Sequence, residues 1–410
     1  MGSREVRVLF GWEFGAGLGH VTRFRPVAER LIAEGWDVVC ALQDVERGDA
    51  LIDKATGRRL ARTRVIQAPR WNISNDPKLR QVPTHSFADV MRLIGYSNSE
   101  ALRYRISAWR DLIEVVRPDV VVGDFSPTLN LAARGRVPRI GVGNGYTTPP
   151  AGRPMPPIRP WQESLEDFSV NNERILLDAV NEALRAVGDP EIEFLADVLH
   201  GDETFVFTLP LVDPYAKYRS EPTLSPFNMP TDITPRPVNE RIRKGLFLYL
   251  PRGHKLTGPA MRALGAANLQ GQAYISDLPA DVAVKQSKPG LVVHPEPQDF
   301  AKVLPSVRLV VHHGGLSTAV AALLAGTPQF ILPWNLEHAV TARCLSETGG
   351  THVLDPNRED ETSLRNAMSY LVNDLALASR ALRAAGKVDL GDPEAGVAKM
   401  VARVKALAGG

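Results

Sequence analysis

The chain has 410 residues, enough for two or three domains at about 150 residues each. Hydrophobic residues make up 44% and charged residues 23%, which excludes collagen-like, low-complexity and disordered classes. The 48 basic and 46 acidic residues leave a net charge of +2, which argues against a nucleic-acid binder that works through a broad basic surface.

Met1–Arg7 is polar and lacks the apolar core of a signal peptide. The Met-Gly-Ser start carries Val6 where a myristoylation signal needs Ser or Thr. No run approaches the ~18 apolar residues of a membrane span. The expectation is a soluble, cytoplasmic protein without a transmembrane segment. Cys40 and Cys344 have no Cys-x-x-Cys neighbour and read as small packed hydrophobes rather than a disulfide or zinc site.

In chain order, Val6–Gly11 is a short apolar run followed by a glycine-rich loop from Glu13 to His20. Val21–Ala33 has a helical pattern, Gly35 stops it, and Trp36–Leu42 reads as the next strand. Leu112–Val116, Pro118 and Asp119–Val122 continue the series, and a further strand is expected at Arg139–Val142. Thr147–Pro160 holds Pro149, Pro150, Pro154, Pro156, Pro157 and Pro160, so it is neither regular helix nor central strand. It is either a surface connection or a loop that borders an acceptor pocket. Helical stretches follow at Glu173–Val187 and Ile192–Leu199.

The irregular, proline-rich stretch Leu209–Arg243 reads as the passage between domains. A second series then begins at Gly245–Leu250 and continues through Gln272–Ser276, Leu291–Val293, Leu309–His312 and Gln329–Leu332. Strand and helix alternate in both halves, which implies two doubly wound parallel sheets. The expected division is residues 1–212, a linker at 213–243, and residues 244–410. The last helix, Glu394–Leu407, either closes the second domain or crosses back to the first.

The densest chemistry lies at His312-His313-Gly314-Gly315-Leu316-Ser317-Thr318. An apolar strand precedes it, two glycines turn the chain, and an Ala/Leu-rich helix follows. Such a turn presents free backbone N–H groups and the positive end of a helix dipole, where a diphosphate fits. Ser317, Thr318 and His313 add donors. The alternative is that the glycines only turn the chain and the histidines cap a strand.

His313-Gly-Gly-Leu-Ser-Thr, then Ala325-Gly-Thr-Pro328, then Leu332-Pro-Trp-Asn-Leu-Glu337-His338 resembles the donor-binding signature of family-1-type glycosyltransferases of the GT-B fold. The double-histidine form is similar to antibiotic and sterol glycosyltransferases. Phe14-Gly-Ala-Gly-Leu-Gly-His20, Asp119-Val-Val-Val-Gly-Asp124 and Phe207-Thr-Leu-Pro-Leu-Val-Asp213 resemble the family's opening loop, its aspartate-bearing strand and its inter-domain segment. The fold this implies is α/β: two Rossmann-like doubly wound domains that face each other across a cleft. The N-terminal domain takes the acceptor and the C-terminal domain the nucleotide sugar.

The resemblance implies His20 as general base and Asp124 as the group that orients it. It implies donor contacts from His313, Gly314, Gly315, Ser317, Thr318, Gln298, Glu337 and His338. Gly19, Arg252 and His312 are further candidates, and Glu13 is a rival base on the same loop. Each has a bland counterpart: His20 as a helix cap, Asp124 as a turn residue before Pro127, Arg252 as a side chain in water.

The chemistry suits these types, because an imidazole near neutrality can take an acceptor's hydroxyl proton. No Asp-x-Asp pair occurs in the chain, which fits a site without metal, where the nucleoside-diphosphate sugar is the only co-substrate. The family's ribose-binding Glu is Ala321 here, and its acid–Gln pair reads Glu337–His338.

The expected function is inverting transfer of a sugar from a UDP- or dTDP-linked donor to a hydroxyl of a small-molecule or lipid acceptor. The expected assembly is a monomer or homodimer, with no nucleic-acid partner. Three alternatives stay open: a nicotinamide or flavin enzyme, from Gly15-x-Gly17; a hydrolysing epimerase of the same architecture; and a non-catalytic nucleotide-sugar-binding protein.

Overall fold

The computed structural model describes residues 5–15, 19–53, 57–71, 83–226, 229, 233, 235, 243–266, 269–355 and 360–409. The middle of the glycine-rich loop, with Gly17, and much of the 213–243 passage lie outside the described residues.

The chain forms two compact units. Met1–Asn228 and Gly391–Gly410 make the first, and Met229–Leu390 makes the second. The final helix belongs with the first unit.

The first unit is built on six parallel strands: β1 (Arg7–Trp12), β2 (Asp37–Leu42), β3 (Thr63–Gln67), β4 (Val120–Asp124), β5 (Arg139–Gly143) and β6 (Glu203–Val206). Their spatial order is β3-β2-β1-β4-β5-β6, the doubly wound order in which ligands bind where the strand order reverses. Here the reversal lies between β1 and β4, with Trp12 in register with Asp124. β1, β2 and β4 are almost wholly buried, as apolar strands covered on both faces must be.

Helix α1 (Gly19–Ala33) buries Val21, Phe24, Val27, Ala28 and Leu31, an apolar stripe at helical spacing. Further on come α2 (Phe87–Leu93), α3 (Ser99–Val116), α4 (Pro127–Ala133) and α5 (Asp167–Ala186). Leu112–Val116, read as part of the alternating series, is helical. It is the last turn of α3, which Asn98 caps through Ala101 N–H and which ends at left-handed Arg117.

The second unit repeats the plan with β7 (Leu246–Pro251), β8 (Gly271–Ser276), β9 (Leu291–His294), β10 (Leu309–His312), β11 (Gln329–Ile331) and β12 (Thr351–Val353). The order β9-β8-β7-β10-β11-β12 puts its reversal between β7 and β10, where Tyr249 pairs with His312. Its helices are α6 (Thr257–Ala266), α7 (Ala280–Gln286), α8 (Phe300–Val303), α9 (Leu316–Leu324), α10 (Leu336–Ser346), α11 (Glu361–Leu371) and α12 (Leu375–Ala385). Helix α13 (Pro393–Ala408) returns to the first unit. There Val397, Met400, Val401 and Val404 join Val8, Phe10, Val21, Phe24 and Val27 in one core. Burying an aliphatic side chain is worth about 1.5–3 kcal/mol, so this docking is a large part of the unit's stability.

Both cysteines are free and buried, and burial pushes the Cys40 thiol up to about 12. Among the described residues no helix is long and apolar enough to cross a membrane.

Candidate active site

At the first reversal, β1 ends at Trp12, and α1 begins at Gly19 with His20 in its first turn. β4 ends at Asp124. This places the imidazole and the carboxylate at the same sheet edge, with Nδ1 of His20 2.9 Å from Oδ1 of Asp124. Asp124 is fully buried and His20 nearly so. The His20 ring stacks on Trp12, with centroids 5.3 Å apart and planes 16° from parallel. With the carboxylate as acceptor, Nδ1 carries the proton and Nε2 keeps its lone pair. The backbone at Gly15 lies over that nitrogen: a Cβ there would sit 2.4 Å from Nε2, and φ is +90°. An imidazole held this way can accept a proton at Nε2.

The second oxygen of Asp124 pairs with the guanidinium of Arg23. Arg23 lies three residues after His20 on the same helix face, and that spacing is the signal by which sequence reasoning could have found it.

Glu13 faces elsewhere. Its Oε1 accepts from the indole N–H groups of Trp71 at 2.7 Å and Trp109 at 3.3 Å. Its Oε2 accepts the backbone N–H of Thr128 at 2.9 Å, in the first turn of α4. Burial raises its pKa, against these hydrogen bonds. Both oxygens are engaged, Oε1 with the two indoles and Oε2 with the start of α4, which describes a structural carboxylate.

The residue after Asp124, Phe125, has φ of +44°, unusual for an aromatic side chain. Its carbonyl accepts the Phe14 N–H, joining the loops after β1 and β4. Phe14, Trp71, Tyr96, Phe125, Phe87 and Tyr146 form a continuous chain of ring contacts from this point. Farther along, the proline-rich segment walls a cavity of about 480 Å³ with Pro150, Pro154, Met155, Pro156, Pro157 and Tyr218 among its lining.

The second reversal carries the glycine turn. His312 ends β10 fully buried, with both ring nitrogens occupied. Nδ1 accepts the Gly314 N–H at 3.1 Å, so the proton sits on Nε2, 3.0 Å from Oε1 of Gln329. Burial, then the neighbouring His313, pushes its pKa down to about 3. His312 therefore shapes the turn from inside.

Gly314 has φ of +94°, and a Cβ there would meet Ile331 at 3.0 Å and His338 at 3.1 Å. Gly315 caps α9, whose first turn leaves backbone N–H groups without intrahelical acceptors. Ser317 is exposed on that turn and Thr318 is buried. The His313 and His338 rings are 4.8 Å apart, and Asn335 caps α10 by accepting the His338 N–H at 2.9 Å. Glu337 is partly exposed beside it.

After β7, His254 is buried. Its Nδ1 accepts the Leu256 N–H and its Nε2 lies 3.1 Å from the Leu332 carbonyl. Arg252 is exposed. Gln298 is partly exposed in the loop after β9 and donates to the Glu296 carbonyl at 2.9 Å. Ala321 packs in an apolar cluster with Phe247 and Val310. The turn thus brings together His313, Gly314, Gly315, Ser317, Thr318 and His338.

Residues 291–402 match the family model described as Erythromycin biosynthesis protein CIII-like, C-terminal domain. A "PGL/p-HBAD biosynthesis glycosyltransferase" of Mycobacterium tuberculosis is 26% identical over 309 residues, covering 71% of each chain. The "L-demethylnoviosyl transferase" of Streptomyces niveus is 25% identical over 371 residues, covering 87% of this chain and 88% of that one. These matches support a glycosyltransferase of the family-1 type.

The fold of this glycosyltransferase is that of solved GT-B enzymes. The calicheamicin glycosyltransferase CalG4 aligns over 99% of both chains with a TM-score of 0.60 and 20% identity. The glycosyltransferase VinC, solved in complex with dTDP, aligns over 98% of this chain and 99% of that one with a TM-score of 0.61 and 17% identity. Among its own side chains, Arg23, Trp12, His254 and Trp71 were not foreseen as parts of the two sites.

Proposed function

We propose that the glycosyltransferase moves a sugar from a UDP- or dTDP-linked donor to a hydroxyl of a small-molecule acceptor, with inversion and without a metal. The observation that carries this reading is the buried His20–Asp124 pair at the first sheet reversal. Nε2 of His20 takes the acceptor's hydroxyl proton. Asp124 fixes the tautomer and stabilises the imidazolium that forms. The deprotonated oxygen attacks the anomeric carbon through an oxocarbenium-like transition state as the bond to the diphosphate breaks. One in-line displacement inverts that centre.

The leaving diphosphate rests on the glycine turn, where the α9 N–H groups and dipole, Ser317, Thr318 and His313 neutralise its charge. VinC and the spinosyn rhamnosyltransferase SpnG were solved with thymidine diphosphate, which supports a dTDP-linked donor. The proline-walled cavity is of the size that holds a small, largely apolar molecule and supports an acceptor of that kind.

His20→Ala tests the reading. Turnover should fall about 10²–10⁴-fold, while stabilisation by the nucleotide in a thermal-shift panel is kept. Unchanged turnover in this variant would remove His20 from the mechanism. Product anomeric configuration, read by NMR, checks inversion.

A further inference from the structure

His338 stands where the family carries a carboxamide, and it meets His313 ring to ring at 4.8 Å. Nδ1 of His313 and Nδ1 of His338 are both buried without a hydrogen-bond partner. Two orphaned ring nitrogens beside a helix N-terminus are costly unless a ligand completes them. Other groups face the pair. His312 lies beneath it on β10, His254 follows β7, Tyr249 on β7 packs 5.6 Å from the His313 ring, and Glu337 neighbours His338 on α10.

A neutral imidazole offers one N–H, and its other nitrogen presents a lone pair, as a phosphate oxygen does. Only the imidazolium donates from both. We propose that His313 and His338 form a proton-taking clamp: when the diphosphate of a nucleotide-sugar donor docks on the glycine turn, the pair takes up a proton and holds the donor by charge as well as by hydrogen bonds. This rests on the donor-site reading above and adds the proton and the second imidazole.

Burial and the surrounding histidines push His313 down to about 4 and His338 to about 3, so the empty pair is neutral at physiological pH. A diphosphate brings two negative charges within reach and raises both. The proton comes from solvent and is released when the phosphates leave. Because the complex binds protons that the free protein does not, donor affinity rises as pH falls. Where one proton is taken up, the slope approaches tenfold per pH unit.

Isothermal titration calorimetry with dTDP-glucose and UDP-glucose tests this, since neither diphosphate diester titrates in the relevant range. Titrations run between about pH 5 and 8, in buffers of different ionisation enthalpy. The expected result is net proton uptake that grows as pH falls, with affinity rising alongside. In His338→Gln the proton uptake should shrink, and the rise of affinity towards acid should flatten relative to the parent chain. Binding by the parent chain with no proton uptake across the range overturns the clamp and leaves the donor site standing. Failure of both sugars to bind at any pH overturns the donor-site reading and the clamp with it. The parent-chain measurement decides the matter even if the variant does not fold.

Discussion

Asp124 serves two partners at once. One oxygen faces His20 and the other holds Arg23. That division fixes the carboxylate in a single orientation, so the imidazole inherits its aim from a helix residue one turn away. Asp124→Asn would replace a pure acceptor by a group with an N–H that can face Nδ1, favouring the tautomer whose Nε2 already bears a proton. The expected outcome is a fall in kcat of at least about 10²-fold, with the nucleotide's thermal stabilisation kept, measured by initial rates and melting curves. A variant that keeps most of its turnover would show that the aspartate is only structural. The histidine and the aspartate were legible from their loops and strand ends. Arg23 sat in plain view at helical spacing. The left-handed Phe125 carried no sequence signal, because an aromatic residue rarely adopts positive φ and its carbonyl's partner, Phe14, lies far away in the chain.

Helices and strands were legible where burial is two-sided. β10, the glycine turn and α9 follow directly from an apolar run, two glycines and an Ala/Leu helix, and the structure places them at nearly the boundaries read from sequence. The edge strands of the first sheet were not: β3 and β6 carry Thr, Arg, Gln and Glu, and among the described residues one side of each lacks a neighbouring strand, so the apolar pattern fades. Only the tail of α3 was read from sequence, because the helical stripe begins much earlier, at Leu102. The glycine turn has its own test. Gly314→Ala puts a Cβ at positive φ and against Ile331 and His338. It should cost about 1–3 kcal/mol of stability and abolish most nucleotide-dependent stabilisation, read from denaturant melts with and without dTDP. Full retention of both would mean that the turn tolerates a side chain and does not seat the phosphates.

At the scale of the molecule, the two units share one strand order but differ in their buried histidines. In the second unit burial lowers the pKa of His294, His312, His313, His338 and His352, whereas in the first unit the same is seen at His200. A histidine lowered in the folded state stabilises fully above its unfolded value, near 6.5, and that stability is lost as pH falls through the folded value. The unfolded chain takes protons that the buried rings refuse. The second unit should therefore lose stability first as pH drops from about 6.5 towards 4, detected by hydrogen exchange resolved by unit. Equal loss in both units would contradict it. The paired six-strand plan was legible from the two alternating series, but the allegiance of α13 was not, since an amphipathic helix does not say which surface it covers.

That allegiance has a consequence for synthesis. A ribosome emits the six strands of the first sheet well before residues 393–408, and adds roughly 5–20 residues each second. Until those residues emerge, the greasy surface meant for Val397, Met400, Val401 and Val404 stays uncovered. The unit that starts first on the nascent chain is thus the one that finishes last, and a chaperone has its longest opportunity there.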